Sequence, residues 1–239
     1  MITEKEIIEK LKEKSDETLS AFNEKLTLST SKSIGVRTKD VIDLSKKLTK
    51  QNGDMPLDNV LTGEYIEVDY VVGFSIVFSK ATNKFERLYD FSQKINNWAV
   101  CDIVTTKFKL TNNEKEKAKD IIDRFIRSNK PFVVRVGLLL LTCNFLTEKN
   151  IDFTFKKVEE SNLKGEYYVD MMIAWLIQRA YTKNREKTLT FLKENKSLTY
   201  EIRLKAIQKL IDSRVTQLKD KEDLKEYRKE LRNKYQASY

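Results

Sequence analysis

Apolar residues recur along this chain at three- and four-residue intervals, and the strict alternation of a half-buried strand is missing over any useful length. The runs predict helices joined by short links. Thr3 and Glu6 have the form of a capping box opening an amphipathic helix through about Lys14, and a second helix is expected over Thr18 to Leu26. Leu28 to Thr38 is polar, contains Gly35 and reads as a loop, with Thr38 placed to cap a helix reaching about Thr49. Asn52-Gly53-Asp54 and Pro56 mark a break. Helical spacing then runs from about Leu57 to Ala81. Within it Val68 to Val77 mimics a strand, but its length and neighbours favour helix, and Gly63 and Gly73 weaken the interior. Asn83 and Glu86 signal another start, with Phe85, Leu88, Tyr89 and Phe91 on one face. Asn96-Asn97 precedes a helix over Trp98 to Phe108, and Thr111 with Glu114 forms a further capping box for a helix to about Ser128. Pro131 suits the first turn of an apolar helix. Later helices are expected near Asp152–Glu160, Glu166–Thr182, Arg185–Asn195, Thr199–Ser213 and Gln217–Lys234.

About a dozen helices with short connections imply an all-α fold, either an irregular bundle or an α-α superhelix (solenoid). A helix-pair repeat of about 40 residues would fit the HEAT class, although no repeat is convincing to the eye. No linker divides residues 1–239, so a single repeat domain is expected, with 214–239 as a terminal charged helix.

Composition sharpens this picture. Six glycines and two prolines in 239 residues agree with a helical chain, and 40% hydrophobic with 34% charged residues reads as globular. The formal net charge of +9 points to a polyanionic partner, nucleic acid before an anionic membrane. There is no histidine, which removes the commonest general base, the commonest metal ligand and every Ser-His or Cys-His pair. Cys101 and Cys143 are the only cysteines, 42 positions apart, so neither a metal site nor a disulfide framework is expected. A reducing, cytoplasmic setting is the expectation, because the N-terminus shows no apolar signal segment. The apolar stretch Pro131–Leu146 is short and holds Arg135, and reads as a buried helix rather than a membrane span.

Three constellations could carry chemistry, and each has an ordinary reading beside it. Trp98 and Asp102 lie one helical turn apart on one face, where a carboxylate against an aromatic wall can stabilise a developing cation. Equally, a core tryptophan with a capping or ion-paired aspartate has that spacing. Arg135 interrupts Val133, Val134, Val136 and Gly137; once buried it needs an anion, either an internal carboxylate or a phosphate. Trp175 sits in the apolar run Tyr167–Leu176, and Tyr168 and Tyr181 could line either a core or a groove. The mixed charges from Arg214 to Lys234 are those of a solvated helix more often than of a nucleic-acid arm.

In matching order, four stretches resemble the AlkD family, bacterial alkylpurine DNA glycosylases built of HEAT-like repeats. Ser33-Ile34-Gly35-Val36-Arg37-Thr38 resembles its N-terminal Gly-Ile/Val-x-Thr segment, and Trp98-Ala99-Val100-Cys101-Asp102 its W-x-x-x-D segment. Phe132-Val133-Val134-Arg135 resembles the aromatic-x-x-Arg segment. Ile173-Ala174-Trp175-Leu176 with Arg203-Leu204-Lys205-Ala206-Ile207 resembles the C-terminal pair of motifs. The likeness covers about residues 20–212. Departures are Leu26 or Lys25 where a tyrosine is usual, Arg37 where glutamine is common, Asn97 where many members have an aromatic, and Val68–Ile76 in place of an alanine-rich helix.

A monomer is the simplest expectation for this architecture, and the resemblance implies that it binds double-stranded DNA, alkylated DNA above all, mainly through its backbone. It implies excision of N3- or N7-alkylated purines without base flipping and with no cofactor. Asp102 would stabilise oxocarbenium character, Trp98 and Trp175 would pack on the lesion nucleotide, and Arg135, Arg37 and Thr38 would contact DNA. An alkylated purine is already cationic and leaves without a general acid, so the chemistry needs no histidine. The alternatives are a catalytically inactive DNA-binding relative and a HEAT-type scaffold for an acidic protein.

Overall fold

The computed structural model describes residues 2–27, 30–60 and 63–237. The described residues form thirteen helices with no strand, only an isolated bridge between Lys32 and Tyr65. The fold is all-α, and its packing is that of stacked helical repeats. The chain divides into two compact units, 1–121 and 122–239.

The first unit holds α1 (Glu4–Lys12), α2 (Glu17–Thr27), α3 (Thr38–Gln51), α4 (Ile66–Phe78), α5 (Lys84–Ser92) and α6 (Trp98–Thr105), and α7 (Asn112–Ile126) runs across the division. Helix α4 is its centre. Every residue from Ile66 to Ile76 is buried, as expected of a helix apolar on all sides, and α1, α3, α5 and α6 pack around it. At Gly73 the two helices leave no room for a side chain: a Cβ there would lie 2.7 Å from a Val104 methyl of α6. The glycine that weakened the helix in the sequence is what lets α6 lie against α4.

The second unit holds α8 (Pro131–Asn144), α9 (Ile151–Glu160), α10 (Tyr167–Tyr181), α11 (Arg185–Glu194), α12 (Tyr200–Asp212) and α13 (Leu218–Gln236). Helix α10 packs against both α8 and α12, while α9, α11 and α13 pair with α8, α10 and α12 respectively. Polar links tie each pair to the next at a nearly constant sequence separation. Arg127 to Glu160 and Arg135 to the Tyr168 carbonyl span 33 residues, Lys187 to Asp152 and Lys205 to Asp170 span 35, and Asn195 to Glu159 spans 36. The repeat is therefore nearer 35 residues than the expected 40.

Local chemistry explains most boundaries. Both capping boxes form, with Thr3 and Thr111 each exchanging side-chain and backbone hydrogen bonds with a glutamate three residues on. Three expectations are corrected. Arg37, in extended conformation, occupies the cap position of α3, and Thr38 is its first helical residue. Helix α4 starts at Ile66 rather than Leu57, because the chain before it turns through Gly63 at φ +107°. The Leu57 amide is meanwhile taken by the Ser75 hydroxyl at 2.8 Å. Leu61 and Thr62, within that expected helix, and Leu28 and Ser29, within the expected loop, lie outside the described residues. Helix α6 ends at Thr105, three residues short of Phe108.

One repeat escaped sequence inspection. Gly63-Glu64-Tyr65 ahead of α4 recurs as Gly165-Glu166-Tyr167 at the start of α10, and both glycines have left-handed backbone, φ +107° and +106°. In each copy the fourth helical residue is an aspartate that accepts the glycine amide, Asp69 from Gly63 at 2.8 Å and Asp170 from Gly165 at 2.9 Å. The same turn thus opens a buried helix in both units.

Candidate nucleic-acid interface

In the first unit the candidate residues sit at two places that a hydrogen-bond network joins. Asn97 caps α6, its side-chain oxygen accepting from the Val100 amide at 2.9 Å. Trp98 is therefore the first residue of α6, and Asp102 follows one turn later. Both are half-buried, so neither is a core side chain. Asp102 lies close enough to Tyr70 on α4 for its charge to act there. Burial first, then Glu67, Asp69 and Asp102, raises the Tyr70 phenol well above its ordinary value, so Tyr70 stays neutral.

Arg37 and Thr38 are exposed at the start of α3, and the loop before them is held by Glu67. This carboxylate, fully buried on α4, accepts from the Ser33 hydroxyl at 2.7 Å and from the amides of Ile34 at 2.9 Å, Gly35 at 3.0 Å and Val36 at 3.4 Å. Gly35 has φ +82°, and a Cβ there would lie 2.0 Å from the Asp16 carbonyl oxygen. Only glycine fits that turn. Upstream, Lys32 exchanges backbone hydrogen bonds with Glu64 and Ile66, and Asn96, next to the α6 cap, donates to the Ser31 hydroxyl at 3.2 Å. The loop ahead of Arg37 is thus anchored to the starts of both α4 and α6. Glu67, the residue that organises this face, was missed in the sequence; a glutamate inside the apolar run Ile66–Ile76 was the available signal.

In the second unit Arg135 on α8 is buried, and its guanidinium donates to the Tyr168 carbonyl at 2.6 Å. The Phe132 ring packs on Tyr168 with centroids 4.9 Å apart. The acceptor of this bond is a backbone carbonyl on α10. Trp175 on α10 is 50% exposed between buried Ala174 and Leu176, so it faces outward and is no core residue. Tyr181 is buried and donates to Asp220, which also accepts from Arg185 at 2.6 Å, fastening α13 to α10 and α11. Arg203 donates to the carbonyls of Leu192 and Asn195 at the end of α11, a structural role. Lys209 on α12 stands 4.7 Å over the Trp175 ring and was also missed.

Among the described residues no group of cysteines and carboxylates is arranged to hold a metal ion, and no helix is long and apolar enough to cross a membrane.

A basic chain of stacked helical repeats with outward aromatic and cationic side chains belongs to the class of helical-repeat proteins. Comparison with known families narrows this. The DNA alkylation repair enzyme family matches residues 7–210, and the chain belongs to it. No match was found among curated proteins or solved structures.

Proposed function

We propose that the protein is a DNA glycosylase that releases N3- or N7-alkylated purines from double-stranded DNA. The observation that carries this reading is Asp102, half-buried on α6 one turn beyond Trp98, in a chain without histidine that belongs to the alkylation repair family. Positive charge grows at the deoxyribose as the cationic purine departs. A carboxylate held on a helix stabilises that charge in the transition state more than in the ground state, which is what accelerates the step. The Asp102 carboxylate then holds the incoming water, whose proton leaves to solvent as the sugar gains its hydroxyl. In the first unit Trp98 packs against the lesion nucleotide and Arg37 and Thr38 contact the DNA backbone; in the second unit Trp175 and Arg135 are DNA-contacting residues. The protein acts as a cytoplasmic monomer and needs no cofactor for this chemistry.

The test is release of N7-methylguanine from a methylated duplex by wild type and by Asp102→Asn. The variant is expected to lose about 100-fold or more in single-turnover rate while binding duplex with wild-type affinity. Equal rates in the two proteins would remove Asp102 from the mechanism. Tight binding without any release by wild type would favour the non-catalytic DNA-binding reading. Failure to bind duplex at all would favour the protein scaffold.

A further inference from the structure

This inference deepens the DNA-binding reading and rests on it. On α12, Lys205 and Lys209 are one turn apart, and each ammonium lies over an aromatic ring of α10, Lys205 6.0 Å from the Tyr167 centroid and Lys209 4.7 Å from that of Trp175. Both rings face outward, 60% and 50% exposed. Eight residues separate them along α10, or about 12 Å at the helical rise. The result is an exposed face on which flat rings and cations are interleaved.

The two lysines differ in how their charge is balanced. Lys205 lies 3.5 Å from the buried carboxylate of Asp170. Lys209 makes no ion pair among the described residues. Its nearest acidic influence is Asp212, whose oxygen is engaged by the Gln208 amide at 2.8 Å. Partial burial and then the neighbouring Arg135 cation lower the Lys209 pKa, while Asp212 opposes them weakly. A cation in this position gains from an anion on both counts, because the anion replaces lost hydration and offsets the repulsion from Arg135. Next to it opens a cleft of about 300 Å³ lined by Trp175, Gln178, Lys209, Asp212 and Ser213, with the Gln178 amide donating to the Ser213 hydroxyl at 3.0 Å.

We propose that Lys209 is a further DNA-backbone ligand, its ammonium held over the Trp175 ring so as to contact a phosphodiester oxygen. Duplex DNA suits this face better than an acidic peptide does, because the chain belongs to the DNA alkylation repair family and a duplex backbone presents compact phosphates beside deoxyribose surfaces that pack on exposed rings.

The experiment is duplex affinity measured at several salt concentrations for wild type, Lys209→Gln, Lys209→Arg and Lys183→Gln. Lys183 is an exposed lysine just beyond α10 and serves as the charge control. Lys209→Gln is expected to reduce the slope of log affinity against log salt by about 0.9, the signature of one lost phosphate contact. Lys209→Arg should retain the wild-type slope, and Lys183→Gln should leave it unchanged. An unchanged slope in Lys209→Gln overturns the assignment, as does an equal loss in Lys183→Gln, which would make the effect one of net charge. Base release from the methylated duplex, run on the same proteins, separates the two levels of inference. Release by wild type with no slope change in Lys209→Gln overturns the Lys209 contact alone, whereas wild type that neither binds nor cleaves overturns the DNA reading and this contact with it.

Discussion

Gly35 and Glu67 show how much a single residue can decide here. Gly35 has no neutral substitute, because an added Cβ would overlap the Asp16 carbonyl oxygen at 2.0 Å, far inside van der Waals contact, and φ +82° already strains any other residue. Gly35→Ala should lower stability by about 3 kcal/mol or more, read as the urea midpoint at unchanged slope. Glu67→Gln acts on the same loop from the opposite side. The carboxylate accepts on both oxygens, so an amide must turn its NH2 toward a donor and leave a buried N–H or hydroxyl unsatisfied. A loss of about 2 kcal/mol is expected, with weaker duplex binding, since the loop that carries Arg37 and Thr38 loosens; calorimetric melting and a duplex titration on the same variant check both. Gly35 was visible in the sequence as a loop residue and as part of a motif. Glu67 was not, because nothing in a run of letters says that a glutamate on an apolar helix will point at a neighbouring loop rather than at water.

At the scale of elements, the legible boundaries are those set by contacts within four residues. The capping boxes at Thr3 and Thr111, the Asn97 stop before Trp98 and Pro131 in the first turn of α8 are all of that kind. The start of α4 was misplaced because it depends on a carboxylate reaching back six residues to Gly63 and on a bridge from Lys32, neither of which leaves a local pattern. That start also carries a titration. Asp69 is buried, and burial, opposed by the Gly63 amide and reinforced by Glu4 and Glu67, raises its pKa from 3.8 to about 7. The folded chain therefore holds a proton at Asp69 that the unfolded chain has released. Stability from this group is complete below the ordinary carboxylate pKa and falls as pH rises toward 7. Asp69→Asn keeps the acceptor for Gly63 and removes the titration. Its stability relative to wild type should rise between about pH 4 and pH 7 and then level off, by about 2 kcal/mol or more. Urea unfolding of both proteins across that range checks it, and a constant difference would show that folding does not raise the Asp69 pKa.

For the whole molecule, the sequence conveyed the class readily and the repeat hardly at all. Stacked repeats need only a shared spacing of core and link positions, so Arg135 with Tyr168, Lys187 with Asp152 and Lys205 with Asp170 reproduce a 33- to 35-residue step although only the last two pairs share residue types. The Gly-Glu-Tyr segment that recurs by letter marks the same turn in both copies. Charge is the other property of the whole chain, and it makes the final prediction. Forty-five lysines and arginines face 36 acidic residues, and many of the cations are spent on internal ion pairs such as Lys157 with Asp123 and Arg185 with Asp220. Binding to DNA through the remainder is dominated by release of counterions from the backbone, which is the same for damaged and undamaged duplex. Lesion-bearing and lesion-free duplexes should therefore show parallel plots of log affinity against log salt, with any preference for damage appearing as a vertical offset. Fluorescence anisotropy on both duplexes provides the check. A steeper plot for the damaged duplex would mean that recognition of the lesion recruits additional phosphate contacts, and binding through a fixed set of backbone contacts would have to be abandoned.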